Sequence, residues 1–194
     1  MITQQIDELI QKGGIGILPT DTIYGIVGSA LNPQVVEKIY KLRKRSLDKP
    51  MIILISDLND LKKFDITLRN KQKEILEKIW PNPISVILAC LSEKFEYLHR
   101  GKNSLAFRMP KDDSLLKLLK ETGPLVVPSA NFEGEKPAES IQEAKEYFAE
   151  RLEFYVDEGI LRSKPSTLIQ FSDNEVEILR EGIVSKEHIK KLLE

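Results

Sequence analysis

The chain is poor in the residues most reactive chemistry uses: one cysteine, two histidines and one tryptophan in 194 residues. A lone Cys90 rules out an intrachain disulfide and a cysteine zinc cluster, and its place in the apolar run Ile84 to Leu91 predicts a core thiol. His99 and His188 are isolated and receive no catalytic role. No cluster of His, Cys and carboxylates has metal-ligand spacing, so no protein-held metal is expected. Excess charge is also missing: 29 basic and 30 acidic side chains nearly cancel. No whole-molecule field then draws the protein to nucleic acid or membrane, and any polyanion contact must be a local patch. No apolar run approaches the roughly 18 residues that span a bilayer, and the start Met-Ile-Thr-Gln-Gln-Ile-Asp lacks the pattern of a signal peptide. A cytoplasmic protein with no membrane partner is expected. The P-loop pattern is absent, and Gly14-Ile-Gly16-Ile-Leu-Pro19 puts proline where the third glycine of the dinucleotide fingerprint belongs.

What is present suits a globular domain. Apolar residues make up 41% of the chain, enough for a real core at this length. Helical spacing appears around Ile6 to Ile10, closed by Gly13-Gly14, and again after Asn32-Pro33, where Lys49-Pro50 must end the helix at the latest. Further helices are expected over Leu68 to Ile79, Leu115 to Lys120, from Ser140 to about Leu152, and after Ser185. Strands are expected at Ile15 to Leu18, Met51 to Ile55, Ile84 to Leu91, Ser104 to Met109, Leu125 to Val127, Phe154 to Val156, Thr167 to Phe171 and Val176 to Leu179. Lys94 to Asn103 is expected to be a polar connection. The interleaving predicts an α/β fold: a single domain, residues 1–194, with a twisted, mixed sheet flanked by helices.

The stretch from Ile17 to Asp57 carries the chemistry. Its loop Pro19 to Gly25 offers hydroxyls at Thr20, Thr22 and Tyr24, which in extended chain share a face while Asp21 points away. Such a loop can bond a small polar ligand, or its threonines can bond their own backbone. Arg43, Lys44, Arg45 and Lys49 follow; Arg43 and Arg45 converge on one anion only if the helix has already ended. Pro128-Ser129-Ala-Asn131 repeats the design of a strand leading into proline and polar side chains, offering a hydroxyl and an amide to phosphate or capping a turn. Arg108 and Arg180 are charges within apolar strands, so each needs an anionic partner or an exposed face.

Together these residues resemble the YrdC family, the L-threonylcarbamoyladenylate synthases. The matching segments run through nearly the whole chain: Pro-Thr-Asp-Thr-Ile-Tyr-Gly at 19 to 25, Arg-Lys-Arg-Ser-Leu-Asp-Lys-Pro at 43 to 50, Trp-Pro-Asn-Pro at 80 to 83, Leu-Ala-Phe-Arg-Met-Pro at 105 to 110, Pro-Ser-Ala-Asn at 128 to 131, Pro-Ser-Thr at 165 to 167 and Leu-Arg-Glu-Gly at 179 to 182. The resemblance implies an enzyme making threonylcarbamoyl-AMP and pyrophosphate from L-threonine, bicarbonate and ATP, toward threonylcarbamoyladenosine in tRNA. It implies Thr20, Ser104 and Arg108 at threonine, and Arg45, Lys49, Ser129, Asn131 and Arg180 at ATP, with Arg43 and Arg45 as the catalytic cations. Magnesium would accompany ATP as its phosphate-bound ion. The end at Glu194 resembles the short form that works with separate proteins completing the tRNA modification, and direct tRNA contact is a further implied partner. The chain departs from the family's usual residues at Arg43, for a lysine; at Leu54, where some relatives carry histidine; at Ala138, for serine; and at Gln170, for an acid. Two other readings stand beside it. One is a non-catalytic module gripping tRNA or structured RNA through the basic runs Arg43 to Arg45 and Arg100 to Lys102. The other is a structural subunit that kept the fold without activity.

Overall fold

The computed structural model describes residues 4–172 and 175–194. Its first helix, α1 (Gln4–Gln11), buries Ile6 and Ile10 and stops where Gly13 takes a left-handed φ of +86°. Strands β1 (Gly16–Leu18) and β2 (Gly25–Ser29) flank the threonine loop. Helix α2 (Pro33–Leu42) begins as its sequence predicts: the Asn32 side chain accepts from the backbone N–H of Gln34 and Val35, with Pro33 in the first turn. Then come β3 (Ile52–Leu54), α3 (Asn70–Ile79), β4 (Ile84–Ala89), α4 (Glu96–His99), β5 (Ser104–Arg108), α5 (Asp113–Thr122) and β6 (Leu125–Val126). The chain ends with α6 (Ile141–Phe148), β7 (Phe154–Tyr155), β8 (Thr167–Ser172), β9 (Glu175–Arg180) and α7 (Lys186–Leu193).

The strands form one sheet in the order β7-β1-β2-β6-β3-β5-β4-β8-β9. It is mixed: β1–β7, β3–β5 and β4–β8 run parallel, the other neighbours antiparallel. Alternation along the strands decides what each face does. Ile53, Val86, Leu88, Phe107 and Ile169 point into the larger core with α2 and α3. On the other face Leu18, Val27, Leu54, Leu125 and Val127 pack beneath Ile6 and Ile10 of α1 and Leu115, Leu118 and Leu119 of α5. That cover stops short, and Ile52, Ile87, Ala106 and Leu168 are left as the floor of a cavity.

Some elements depart from expectation. Strand β2 has no clear signal in Gly25-Ile-Val-Gly28-Ser, because glycine weakens strand preference. Its glycines serve packing: a Cβ on Gly28 would lie 2.4 Å from Val35 Cγ1, and one on Gly25 would lie 2.5 Å from Val127 Cγ1. Helix α2 and the Val127 segment therefore rest directly on the β2 backbone. The connection after β4 is not wholly irregular either; Glu93–Phe95 and α4 form helical turns that bury Phe95, Leu98 and His99. Cys90 is 2% exposed, and burial raises its thiol pKa, as befits a core group. Among the described residues no helix is long and apolar enough to cross a membrane.

Candidate active site

The cavity on the uncovered sheet face has a volume of about 760 Å³. Eight of the nine residues that the resemblance implies at the site line it: Thr20, Arg43, Arg45, Lys49, Ser104, Arg108, Ser129 and Arg180. Asn131 does not; it is 5% exposed and stands behind the wall. With Lys102, the lining holds six basic side chains against one carboxylate, Asp48. Such an imbalance in a concave, partly apolar site favours an anionic ligand.

The threonine loop folds as a turn around one hydroxyl instead of running extended. Thr20 Oγ1 donates to Ile23 O at 2.7 Å, accepts from the N–H groups of Thr22 and Ile23 at 3.2 and 3.3 Å, and lies 2.9 Å from Thr22 Oγ1. Thr20 thus shapes the loop and still lines the cavity. Tyr24 leaves the expected trio of hydroxyls, since it is fully buried and its OH donates to Gly159 O and accepts from Glu158 N–H. A one-dimensional alternation could not show that turn.

The cation loop meets the condition set by sequence. Helix α2 ends at Leu42, Arg43 is its cap, and Lys44 takes a left-handed φ of 51°, so Arg43 and Arg45 reach the same cavity. Arg43 is 2% exposed. Its Nε donates to Asn131 O at 3.1 Å, and its Nη2 to Ser129 Oγ at 3.2 Å and Asn131 Oδ1 at 3.0 Å. Ser129 Oγ in turn donates to Asn131 Oδ1 at 2.6 Å, while Asn131 Nδ2 donates to Phe132 O and Glu135 O, both at 2.7 Å. Ser129 and Asn131 do face the same way, and what they hold is a guanidinium. Burial, then the neighbouring Arg45 charge, lowers the Arg43 pKa to about 10, which leaves it cationic at neutral pH. Its Nη1 is buried without a hydrogen-bond partner. Arg45 is tied to its own loop, donating to Lys49 O at 2.9 Å and Pro50 O at 3.0 Å.

Arg108 has the anionic partner that a strand-buried charge demands. Its Nη2 lies 3.1 Å from Asp21 Oδ1, and both side chains are 5% exposed. The contact is close but poorly aligned for a hydrogen bond, and Asp21 Oδ1 and Arg108 Nε both lack hydrogen-bond partners. Burial lowers the Arg108 pKa, Asp21 opposes that, and Arg180 adds to it. Arg180, its own pKa lowered by burial, donates to Ser166 O at 2.9 Å. The Ser166 segment also explains the glycine after Arg180-Glu181, because a Cβ on Gly182 would sit 2.1 Å from Pro165 O. Backbone cannot swing aside as a side chain can. Gly182→Ala is therefore expected to lower unfolding stability by about 1–3 kcal/mol, the range for an overpacked site, and to weaken ligand binding at the Arg180 wall. Urea unfolding with a parallel ligand titration checks both.

Several contributors escaped the sequence reading of this site. Lys102 and Asp48 reach the cavity from separate turns. Asp21, expected from an extended loop to point away from the hydroxyls, sits in the turn against Arg108. The demand of Arg108 for an acid was the available signal. Leu54, where some relatives carry histidine, is 1% exposed in the second core and lies in register beside Arg108. The basic run Arg100 to Lys102 is split: Arg100 Nη2 pairs with Glu37 at 2.6 Å and its guanidinium lies 4.2 Å from the Tyr40 ring centroid. Arg100 is thereby withdrawn from any basic RNA-gripping face.

Fold and site define an α/β protein with a cation-lined cavity on an open sheet face, of a character that suits an anionic ligand. The chain belongs to the Sua5–YciO–YrdC family, whose model, described as "Telomere recombination", matches residues 8–182. A protein of Methanocaldococcus jannaschii named putative threonylcarbamoyl-AMP synthase is 31% identical over 176 residues, covering 90% of this chain and 83% of the relative. The threonylcarbamoyl-AMP synthase of Bacillus subtilis is 29% identical over 97% of this chain, which spans 56% of that relative. Among solved structures, Pyrococcus abyssi Sua5 complexed with L-threonine superposes with a TM-score of 0.88 at 28% identity, covering 97% of this chain and 56% of that one.

Proposed function

We propose that the chain is an L-threonylcarbamoyladenylate synthase, joining L-threonine, bicarbonate and ATP into threonylcarbamoyl-AMP and pyrophosphate. Names of relatives over most of their length, and the threonine complex of Pyrococcus abyssi Sua5, support the reading. The observation that carries it is a pair of buried cations with unpartnered donors at one cavity, Arg43 Nη1 and Arg108 Nε. A buried polar group left without a partner calls for an explanation, and at a cavity wall a ligand can supply the missing partner.

The reaction asks for gathering and charge stabilisation instead of a nucleophilic side chain. The threonine amine and bicarbonate condense to a carbamate with loss of water. A carbamate oxygen then attacks the α-phosphorus of ATP, and the bond to pyrophosphate breaks. Positioning and electrostatic stabilisation dominate such transfers. Arg108 receives the threonine carboxylate, with Ser104 on the same strand face and the Thr20 turn beside it. Arg43, fixed by Ser129 and Asn131, faces the charge that develops during transfer, while Arg45, Lys49 and Arg180 hold phosphates. Asn131 acts by positioning Arg43. Magnesium enters as the phosphate-bound companion of ATP; no group of three or more His, Cys, Asp or Glu is gathered for a metal among the described residues, and Asp48 is the carboxylate nearest to hand.

We further propose that residues 1–194 act as one catalytic domain in the cytoplasm, delivering the adenylate to separate proteins that modify tRNA, with direct tRNA contact as part of that transfer. Incubation with ATP, bicarbonate and threonine, with prompt mass detection of the labile adenylate, is expected to show threonine-dependent pyrophosphate release. Release that is absent, or indifferent to threonine, overturns the reading.

A further inference from the structure

Glu133 follows the turn that holds Arg43 and reaches back to the cation loop at three points. Its backbone N–H donates to Arg43 O at 2.9 Å. Its carboxylate accepts from the Ser46 backbone N–H through one oxygen and from the Lys49 ammonium through the other. Lys49 lines the cavity and its side chain is 57% exposed, against 20% for Glu133. The Lys49 hydrogen bond first, then that of Ser46, with Arg45 adding its charge, holds the Glu133 pKa down at about 2. A backbone N–H, an ammonium and a nearby guanidinium around two oxygens form the donor set with which proteins hold phosphate.

We propose that the Glu133 carboxylate is an internal stand-in for a phosphate group of ATP, which nucleotide binding must displace from Ser46 and Lys49, so that Glu133 sets the affinity for the triphosphate. The inference rests on the ATP-binding reading above. Two anions cannot share this donor set without repulsion. The apparent affinity is then the intrinsic affinity scaled by the fraction of molecules whose latch is open. Glu133→Gln keeps the length of the side chain and the backbone bond to Arg43 O but removes the charge.

The expected result is that Glu133→Gln lowers KM for ATP by about tenfold, as for a latch open in one molecule in ten, and leaves KM for threonine unchanged. Calorimetric titration with inorganic tripolyphosphate, which needs no catalysis, is expected to show the same tightening. A carboxylate that merely braces the loop gives the opposite sign, since its loss loosens the donors. Unchanged or weaker tripolyphosphate binding by Glu133→Gln, or none by either protein, overturns the proposal. If the wild-type protein makes the adenylate while the variant binds no tighter, the latch fails and the enzyme reading stands. If tripolyphosphate binds tighter but no adenylate forms, the latch stands and the enzyme reading fails.

Discussion

Replacing Arg43 by methionine is expected to lower kcat/KM for adenylate formation by about 10²–10³-fold, the usual loss when a preorganised donor to developing charge is removed. The fold should survive. Ser129 Oγ still donates to Asn131 Oδ1 in the variant, and the apolar chain of methionine replaces a cation whose burial opposed its charge. The lost bonds to Ser129 and Asn131 cost on the order of 1–2 kcal/mol of stability. Arg43→Lys keeps the charge and loses the fork that those partners grip, so a drop of roughly tenfold is expected, smaller than for methionine. Steady-state kinetics on both variants, with unfolding curves as control, decides the matter. Equal activity of wild-type and Arg43→Met proteins would remove Arg43 from the machinery.

The second large effect concerns stability. Asp21 and Arg108 share a site where both side chains are 5% exposed, so removing one partner strands the other charge away from water. Arg108→Met is expected to cost about 3–5 kcal/mol, and Asp21→Asn a similar amount, because each leaves an uncompensated buried ion. The double variant Asp21→Asn/Arg108→Met is expected to recover at least half of the summed loss. A buried pair is replaced more easily than it is broken. Urea denaturation of the wild-type protein, the two single variants and the double variant measures the coupling directly. Strict additivity would show that the two charges do not depend on each other. Threonine-dependent activity should vanish in both proteins lacking Arg108, whatever their stability, since its guanidinium is the proposed carboxylate receptor.

Much of the fold was legible because local signals agreed with one another. Asn32-Pro33 announces α2 and Ser185 announces α7, and the side chains of Asn32 and Ser185 cap those helices as their types predict. Ser140 shows the limit: Ser140-Ile-Gln-Glu143 has the pattern of a reciprocal cap, and the Ser140 hydroxyl accepts from Glu143 N–H, but the Glu143 carboxylate takes the N–H of Glu139 instead of that of Ser140. Strand β2 stayed hidden because glycines chosen for close packing carry no strand signal. Of the candidate site, the residue types were visible and their partners were not. A buried arginine in an apolar strand advertises a need for an anion, yet nothing local says that Asp21, 87 positions earlier in the chain, supplies it.

The sequence by itself determined the inventory of the site: threonines after β1, cations where α2 stops, a serine and an asparagine two apart, and arginines at 108 and 180. Helix endings and strand alternation are set by neighbouring residues, so they can be read along the chain. Only the tertiary structure decided which of these groups face the cavity and which face one another. Asn131 turned inward to hold Arg43, Tyr24 was withdrawn to Gly159, Arg100 was locked by Glu37, and Glu133 was drawn onto Lys49. The physical reason is that hydrogen bonds and charge pairs between distant segments depend on orientation and burial, and both are settled only when the sheet brings those segments together.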